Sequence, residues 1–252
     1  MVKKYSNSFN RYELKYVLPI EKCQEVIENL EAYVVPDPYG DAHGRYILTS
    51  LYYDTADFRF YHEKINGLKH RKKLRIRLYE NQDQVTENTL VYVEVKERID
   101  RIIRKRRIQM KLKDALTLCD HQDEPYFDVQ SDEVLGELHY LLQMYRLQPT
   151  VITSYQRQAF RGTKYDRGLR ITFDTNIRYR RSNLDLTKKD FGEFMLPPNM
   201  CIMEIKVNNS VPIWLTQLIA KHELQIDRIS KYCTSLERAQ DKINKSVIFL
   251  TS

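Results

Sequence analysis

Alternation of apolar and charged residues along several short segments is the feature that most constrains this chain. Residues 73–78 read Lys-Leu-Arg-Ile-Arg-Leu, so apolar and cationic side chains strictly alternate. Successive side chains of a β-strand point to opposite sides of its sheet, so this segment predicts one apolar face and one charged face. Similar alternation occurs at 11–16, 91–97, 169–174 and 202–207. The sequence therefore predicts a sheet with one repeatedly charged face.

The chain also contains enough strand and helix patterns for an α+β fold in a single domain covering residues 1–252. The strand-like segments are 9–18, 45–53, 70–79, 89–99, 102–110, 150–161, 169–179 and 201–208. Apolar residues at helical spacing predict helices at 19–34, 132–147, 211–224 and 229–243. About eight strands is the number at which a barrel interior holds side chains or one slender ligand.

The charged faces could be a solvated outer surface or the lining of an enclosed interior. For a single strand, solvent exposure is favoured, because antiparallel sheets commonly have one wet face. Repetition of the pattern favours a shared interior, since the predicted helices can cover the apolar faces. Unpaired cations are costly to bury, so that interior needs carboxylates, water, metal ions or a polyanion. A chain of phosphates fits, because arginine binds phosphate oxygens bidentately and lysine adds compact charge.

The bulk composition agrees with an anionic partner without naming one. Lys and Arg number 41 against 34 Asp and Glu, which gives a net charge of +7. The four cysteines, at positions 23, 119, 201 and 233, show no zinc-ligand spacing. The sequence has no stretch of the roughly 18 apolar residues that a membrane span needs, and no apolar signal segment near its start. We therefore expect a cytoplasmic protein without a membrane span.

Eight short motifs occur in order along the chain: RYELKY (11–16), SLYYDT (50–55), KLRIR (73–77), VEVKER (93–98), YQRQAF (155–160), LRITFDT (169–175), MEIK (203–206) and SKY (230–232). Together they resemble the VTC domain, the catalytic polyphosphate polymerase domain of the vacuolar transporter chaperone complex, within the triphosphate tunnel metalloenzymes. The resemblance implies a closed eight-stranded antiparallel β-barrel, the triphosphate tunnel, with helices around it. It also implies transfer of the terminal phosphate of ATP onto inorganic polyphosphate, with Mn²⁺ or Mg²⁺ as cofactor.

The resemblance also assigns roles to individual residues. The implied phosphate contacts are Lys15, Arg75, Arg77, Lys96, Arg157, Arg170, Lys206 and Lys231, with hydroxyl contacts from Tyr155 and Ser230. The implied catalytic residues are Arg75, Arg77, Lys96, Arg157, Arg170 and Lys231. The implied metal ligand is Glu204. Many triphosphate-cleaving relatives begin with Glu-x-Glu-x-Lys, whereas Arg11 stands at the first of those positions. A two-carboxylate site on that strand is therefore not expected, and Glu13 is only a helper.

Two other functions stay open at this point. A triphosphatase or nucleotide-processing enzyme could use the same fold, because fold does not fix reaction. A noncatalytic polyphosphate- or RNA-binding module could use the basic runs at 70–77 and 101–107, although each run could also be a solvated strand edge or outer patch, which is the favoured explanation of the second run. Carboxylates among the cations disfavour nucleic acid, so ATP and polyphosphate or triphosphate are the expected ligands. The Tyr-Tyr-Asp run at 52–54 is more typical of packing than of catalysis.

Overall fold

The computed structural model describes residues 5–9, 12–80, 84–100, 102–120, 133–188, 192–208 and 210–251. The strands are β1 (Tyr5–Phe9), β2 (Tyr12–Pro19), β3 (Val34–Pro36), β4 (Arg45–Asp54), β5 (His70–Glu80), β6 (Leu90–Ile99), β7 (Ile102–Lys111), β8 (Gln148–Gly162), β9 (Arg170–Arg180), β10 (Glu193–Phe194) and β11 (Met200–Val207). The helices are α1 (Ile20–Leu30), α2 (Arg59–Ile65), α3 (Leu112–Asp120), α4 (Glu133–Tyr145), α5 (Ile213–Lys221) and α6 (Lys231–Thr251). The predicted α+β class is confirmed.

The strands form one antiparallel sheet. Its main path runs β1-β7-β6-β5-β4-β8-β9-β11-β2, while β10 pairs with β9 and β3 pairs with β8. The predicted closed eight-stranded barrel is wrong, because the sheet has 11 strands and no backbone pairing within the described ranges joins β1 to β2. The first predicted strand, 9–18, corresponds to β2, and an additional strand that was not predicted, β1, precedes it and joins the far edge by pairing with β7.

The sheet curves so far that strands distant in the path touch through their side chains. Lys96 on β6 donates a hydrogen bond to Glu13 on β2, with 2.7 Å between Nζ and Oε2. The start of α6 lies on the same concave side, where Lys231 Nζ is 2.6 Å from Asp174 Oδ2 on β9. The curved sheet and the start of α6 therefore enclose a space on the concave side.

The apolar faces of the strands lie on the convex side, under the helices. Leu74, Ile76 and Leu78 of β5 are buried in a cluster with residues of α3 and α4. Met203 and Ile205 of β11 are buried in a second cluster with residues of α1 and α5. Because side chains alternate along each strand, burial of these residues directs their charged neighbours to the concave side. None of the helices within the described part of the chain is both long and apolar enough to cross a membrane.

Four of the six helices, α1, α4, α5 and α6, lie where the apolar spacing predicts them, with shifted ends. Helix α1 stops at Leu30, because Val34–Pro36 pairs with β8 as strand β3. The short helix α2 follows a left-handed residue, Phe58, with a φ of 56°. The side chain of Asp54 accepts hydrogen bonds from the backbone N–H groups of Phe60 and Tyr61. The carboxylate of Asp54 therefore caps the N-terminus of helix α2.

The convex packing predicts unequal effects for two isoleucines. Ile205 is fully buried between β11 and the helices, so Ile205→Ala is expected to lower the free energy of unfolding by about 2–4 kcal/mol. Ile213 opens α5 and is 79% exposed, so Ile213→Ala should change it by less than about 0.5 kcal/mol. Urea unfolding of both variants checks the difference. Equal losses would contradict this assignment of the core.

Candidate functional site

The concave face surrounds a cavity of about 710 Å³. Eight of its lining residues are cations: Arg75, Arg77, Lys96, Lys105, Arg107, Arg157, Arg170 and Lys206. Glu13 is the carboxylate in the lining, and Tyr39, Tyr46, Tyr79 and Tyr92 add aromatic surface. The cations come from six strands, β5, β6, β7, β8, β9 and β11. Positive charge thus converges on the cavity from most of the sheet.

The structure brings together most of the residues to which the family resemblance assigned phosphate contacts. Six of them, Arg75, Arg77, Lys96, Arg157, Arg170 and Lys206, line the cavity. The remaining four, Lys15, Tyr155, Ser230 and Lys231, are outside this lining and contact charged groups of the concave face, namely Glu13, Arg77, Lys73 and Asp174 respectively. The roles of all these residues in binding and catalysis stay predictions.

Asp174 organises one side of the cavity. Arg157 donates from Nε and Nη2 to the two oxygens of Asp174, at 2.7 and 2.8 Å, and Lys231 donates to Asp174 Oδ2 at 2.6 Å. Burial alone would raise the pKa of Asp174, but the charges of Arg157 and Lys231 lower it to about 2. The Lys231 ammonium also lies over the ring of Tyr155, 4.5 Å from its centroid. Asp174 therefore stays ionised and fixes the guanidinium of Arg157.

Glu94 organises the opposite side. Arg75 donates to Glu94 Oε2 from Nε at 2.9 Å and from Nη2 at 2.6 Å, and Lys105 Nζ is 2.7 Å from Glu94 Oε1. Guanidinium nitrogens of Arg77 and Arg107 lie 3.9 Å from the same carboxylate. Burial opposes ionisation, yet these cations hold the pKa of Glu94 well below its ordinary value. One buried carboxylate thus balances several cations only in part.

Arg77 differs from Arg75 in its hydrogen-bond partners. Its Nε donates to Ser50 Oγ at 3.2 Å and its Nη2 to the Tyr155 hydroxyl at 3.1 Å. Arg170 combines both kinds of partner, since it donates to Asp37 Oδ2 at 2.8 Å and to the Tyr46 hydroxyl at 2.7 Å. Hydroxyl partners orient a guanidinium without neutralising it. The charge of Arg77 is therefore the more available of the two β5 arginines.

Two carboxylates meet at the junction of β2 and β11. Glu13 receives ion pairs from Lys96 at 2.7 Å and Lys15 at 3.2 Å, while Glu204 Oε2 lies 3.1 Å from Lys206 Nζ. Besides burial, the negative charge of Glu204 acts to raise the pKa of Glu13, so the two carboxylates are neighbours in the site. Burial raises both pKa values, but the neighbouring lysines outweigh it and lower them. The pair forms a compact group of oxygen donors beside the cations.

This pair fits a divalent cation that is shared with phosphates. Mg²⁺ and Mn²⁺ prefer oxygen ligands, and Mg²⁺ is usually held by one or two carboxylates together with substrate phosphates. The described residues contain no group of three or more His, Cys, Asp or Glu that could hold a metal alone. Position 11, where the sequence lacks a carboxylate, lies outside the described residues. The second carboxylate beside Glu13 is Glu204, which comes from another strand.

Sequence reasoning overlooked several charged residues of the site. The basic run at 101–107 does not form one outer patch, because Lys105 and Arg107 line the cavity while Arg106 pairs with Glu97 and Glu137. Position 101 lies outside the described residues. Glu94 stands on the same strand face as Lys96, so the alternation of β6 could have identified it. Both faces of β7 are cationic, with Arg104 and Arg106 on one and Lys105 and Arg107 on the other, so alternation does not show which face supplies the cavity.

Four side chains of the concave face titrate near neutral pH. Burial lowers the pKa of Lys105 to about 7 and those of Lys73 and Lys206 to about 8. Burial would raise the pKa of Tyr52, but the charges of Arg75 and Lys73 outweigh it and lower the pKa to about 7. Each deprotonation removes one positive charge from the concave face or adds a negative one. The positive charge of this face therefore falls as the pH rises above 7.

The chain forms a domain of one curved antiparallel sheet around a cavity that is lined by cations together with a carboxylate. Among domains of this kind, the chain belongs to the VTC domain family, whose model matches residues 10–239. All eight motifs that resemble this family lie inside the matched range. No curated protein matches the chain.

Three solved structures are similar to the chain at low identity. A proposed adenylate cyclase of Bacillus halodurans is 13% identical over 88% of this chain and 95% of its own, with a TM-score of 0.48. A protein of Pyrococcus horikoshii is 14% identical over 90% and 99%, with a TM-score of 0.44. A proposed adenylyl cyclase of Hippeastrum with a dominant triphosphatase activity is 13% identical over 89% and 94%, with a TM-score of 0.48.

The titrating groups predict a pH dependence of polyanion binding. Metal-free affinity for inorganic tripolyphosphate is expected to fall as the pH rises from about 6 to about 9, because lysines with lowered pKa values lose their charge. Lys105→Met removes one of these charges, so its affinity should be lower at pH 6 and should change less with pH. Calorimetric titration across this range measures both slopes. Parallel slopes would contradict the assignment of Lys105.

Proposed function

We propose that this chain transfers the terminal phosphate of ATP onto inorganic polyphosphate held in the cavity. The observation that carries the proposal is the lining of eight cations, which exceed in number the carboxylates that pair with them, namely Glu13, Asp37, Glu94, Asp174 and Glu204. Such a surplus of positive charge suits a linear polyanion. Membership of the VTC domain family supports the same substrate class, since the motifs of the chain resemble the polyphosphate polymerase domain of that family.

The cavity residues suit phosphoryl transfer because this reaction needs positioning and charge neutralisation more than covalent chemistry. Arg77 is held by two hydroxyls and can direct its charge at a phosphate, while Arg75 and Arg157 are fixed by buried carboxylates. Guanidinium groups held in place in this way stabilise the charge that develops on nonbridging oxygens in the transition state. Lys96 on β6 and Lys206 on β11 add further positive charge to the lining. In this proposal, the cavity residues bind and orient both the terminal phosphate of ATP and the phosphate at the end of the acceptor chain.

Glu13 and Glu204 are the residues that would hold Mg²⁺ or Mn²⁺. A bound divalent ion supplies additional charge neutralisation at phosphate oxygens. The lysines that pair with these carboxylates, Lys15, Lys96 and Lys206, keep them ionised at neutral pH. Since the acceptor of a polymerase is itself an anionic chain end, transfer needs no strong general base. A triphosphatase would instead need a positioned water.

The products distinguish polymerase from triphosphatase. Purified protein incubated with ATP and Mn²⁺ is expected to form a phosphate polymer together with ADP, because the cavity can retain a chain end as the acceptor. Gel electrophoresis of the polymer and quantification of orthophosphate are the two measurements. Orthophosphate without polymer would favour the triphosphatase. Tight binding of tripolyphosphate without turnover would favour a noncatalytic binding module.

Glu204 provides the second test. Glu204→Gln keeps the size of the side chain but removes its charge, so turnover should fall by more than about a hundredfold, the upper range for residues that only support metal ligands. Glu28→Gln is the matched control, because Glu28 is exposed on α1 away from the cavity. Steady-state rates at several Mn²⁺ concentrations measure the effect. Unchanged turnover in Glu204→Gln would remove Glu204 from the metal site.

A further inference from the structure

Consecutive residues at the start of α6 contact different strands of the sheet. Ser230 Oγ accepts a hydrogen bond from Lys73 Nζ on β5 at 3.2 Å. Lys231 Nζ donates to Asp174 Oδ2 on β9 at 2.6 Å. The next residue, Tyr232, contacts β4. The start of α6 is therefore a point at which three strands are joined on the concave side.

The contact with β4 is made through Asp54, a carboxylate that is completely buried. Asp54 Oδ1 accepts the N–H groups of Thr55 at 2.7 Å and Phe60 at 2.8 Å, and Oδ2 accepts the N–H of Tyr61 at 2.9 Å. Oδ2 also accepts the hydroxyl hydrogen of Tyr232. Burial and the charge of Asp54 raise the pKa of Tyr232, so the hydroxyl keeps its hydrogen. Asp54 thus ties the start of α6 to the start of α2.

Tyr232 and the residue before it are also connected by side-chain contacts to two arginines of the cavity. The ring of Tyr232 packs on the ring of Tyr52, with 5.2 Å between centroids, and the Tyr52 hydroxyl accepts a hydrogen bond from Arg75 Nη1 at 3.3 Å. The lysine that precedes Tyr232 holds Asp174, which binds Arg157 through two hydrogen bonds. A displacement of Tyr232 would therefore reach both Arg75 and Arg157.

We propose that Asp54 and Tyr232 are positioning residues, whose hydrogen bond fixes the start of α6 so that Arg75 and Arg157 stay aligned at the cavity wall. Neither residue is part of the cavity lining described above. The inference rests on the proposed function, because it concerns the same phosphate-binding site. Fixed placement matters there, since small displacements of binding groups weaken catalysis strongly.

Tyr232→Phe tests the inference with little change in packing. It removes one hydroxyl but keeps the ring against Tyr52, and we expect metal-free affinity for inorganic tripolyphosphate to fall on the order of tenfold. Tyr53→Phe is the matched control. Tyr53 is a buried tyrosine on β4, the strand of Tyr52 and Asp54, and its hydroxyl donates to Asp120 at 3.0 Å on the convex side. Both variants should lose thermal stability, but only Tyr232→Phe should lose affinity. Calorimetry and thermal unfolding measure the two effects.

A second comparison separates positioning from general destabilisation. Lys231→Met should weaken tripolyphosphate binding. The double variant Lys231→Met/Tyr232→Phe should lose less affinity than the product of the two single fold-losses, because both substitutions act through Asp174 and Arg157. Wild-type affinity in Tyr232→Phe, or fully multiplicative losses, would overturn the inference. If Tyr232→Phe does not fold, Asp54→Asn replaces it, since the amide oxygen can still accept the N–H groups of Thr55 and Phe60. Wild-type protein that binds no tripolyphosphate would contradict the proposed function itself.

Discussion

Burial of many cations on the concave face of one sheet is the constraint on which the rest of the structure depends. A charge removed from water needs a partner, and an isolated buried cation would destabilise the fold. The chain provides few buried carboxylates and shares each among several cations, as Glu94 is shared by Arg75 and Lys105. When one carboxylate pairs with several cations, each cation has a hydrogen-bonding partner, but part of the positive charge is not neutralised. That remaining charge is what an incoming chain of phosphates can neutralise.

The same alternation that forms the core also forms the site. On β5, Leu74 and Ile76 pack under the helices while Arg75 and Arg77 point into the cavity. The two sets cannot be exchanged independently, because a shift of one residue in register would place every arginine in the core and every leucine in the cavity. Burial of the convex face therefore fixes the direction of the charged side chains. Stability and ligand binding depend on one pattern.

Much of the sheet could be predicted from the sequence, because period-two alternation identifies strand faces without tertiary information. It placed Arg75, Arg77 and Lys206 together on a charged face, and these residues line one cavity. It could not pair cations with carboxylates, since Asp174 on β9 serves Arg157 on β8 and a lysine of α6. Local sequence patterns also could not predict whether the sheet closes into a barrel. Whether edge strands pair depends on long-range curvature, and the ends of this sheet are not joined by backbone pairing in the described ranges.

The contact between Lys96 and Glu13 has a mechanical consequence. It draws β6 towards β2 through two side chains, where a barrel would use a ladder of backbone hydrogen bonds. Phosphate oxygens that compete with Glu13 for Lys96 would weaken this link across the seam. Under the proposed function, the spacing between β6 and β2 would therefore depend on whether phosphate occupies the cavity.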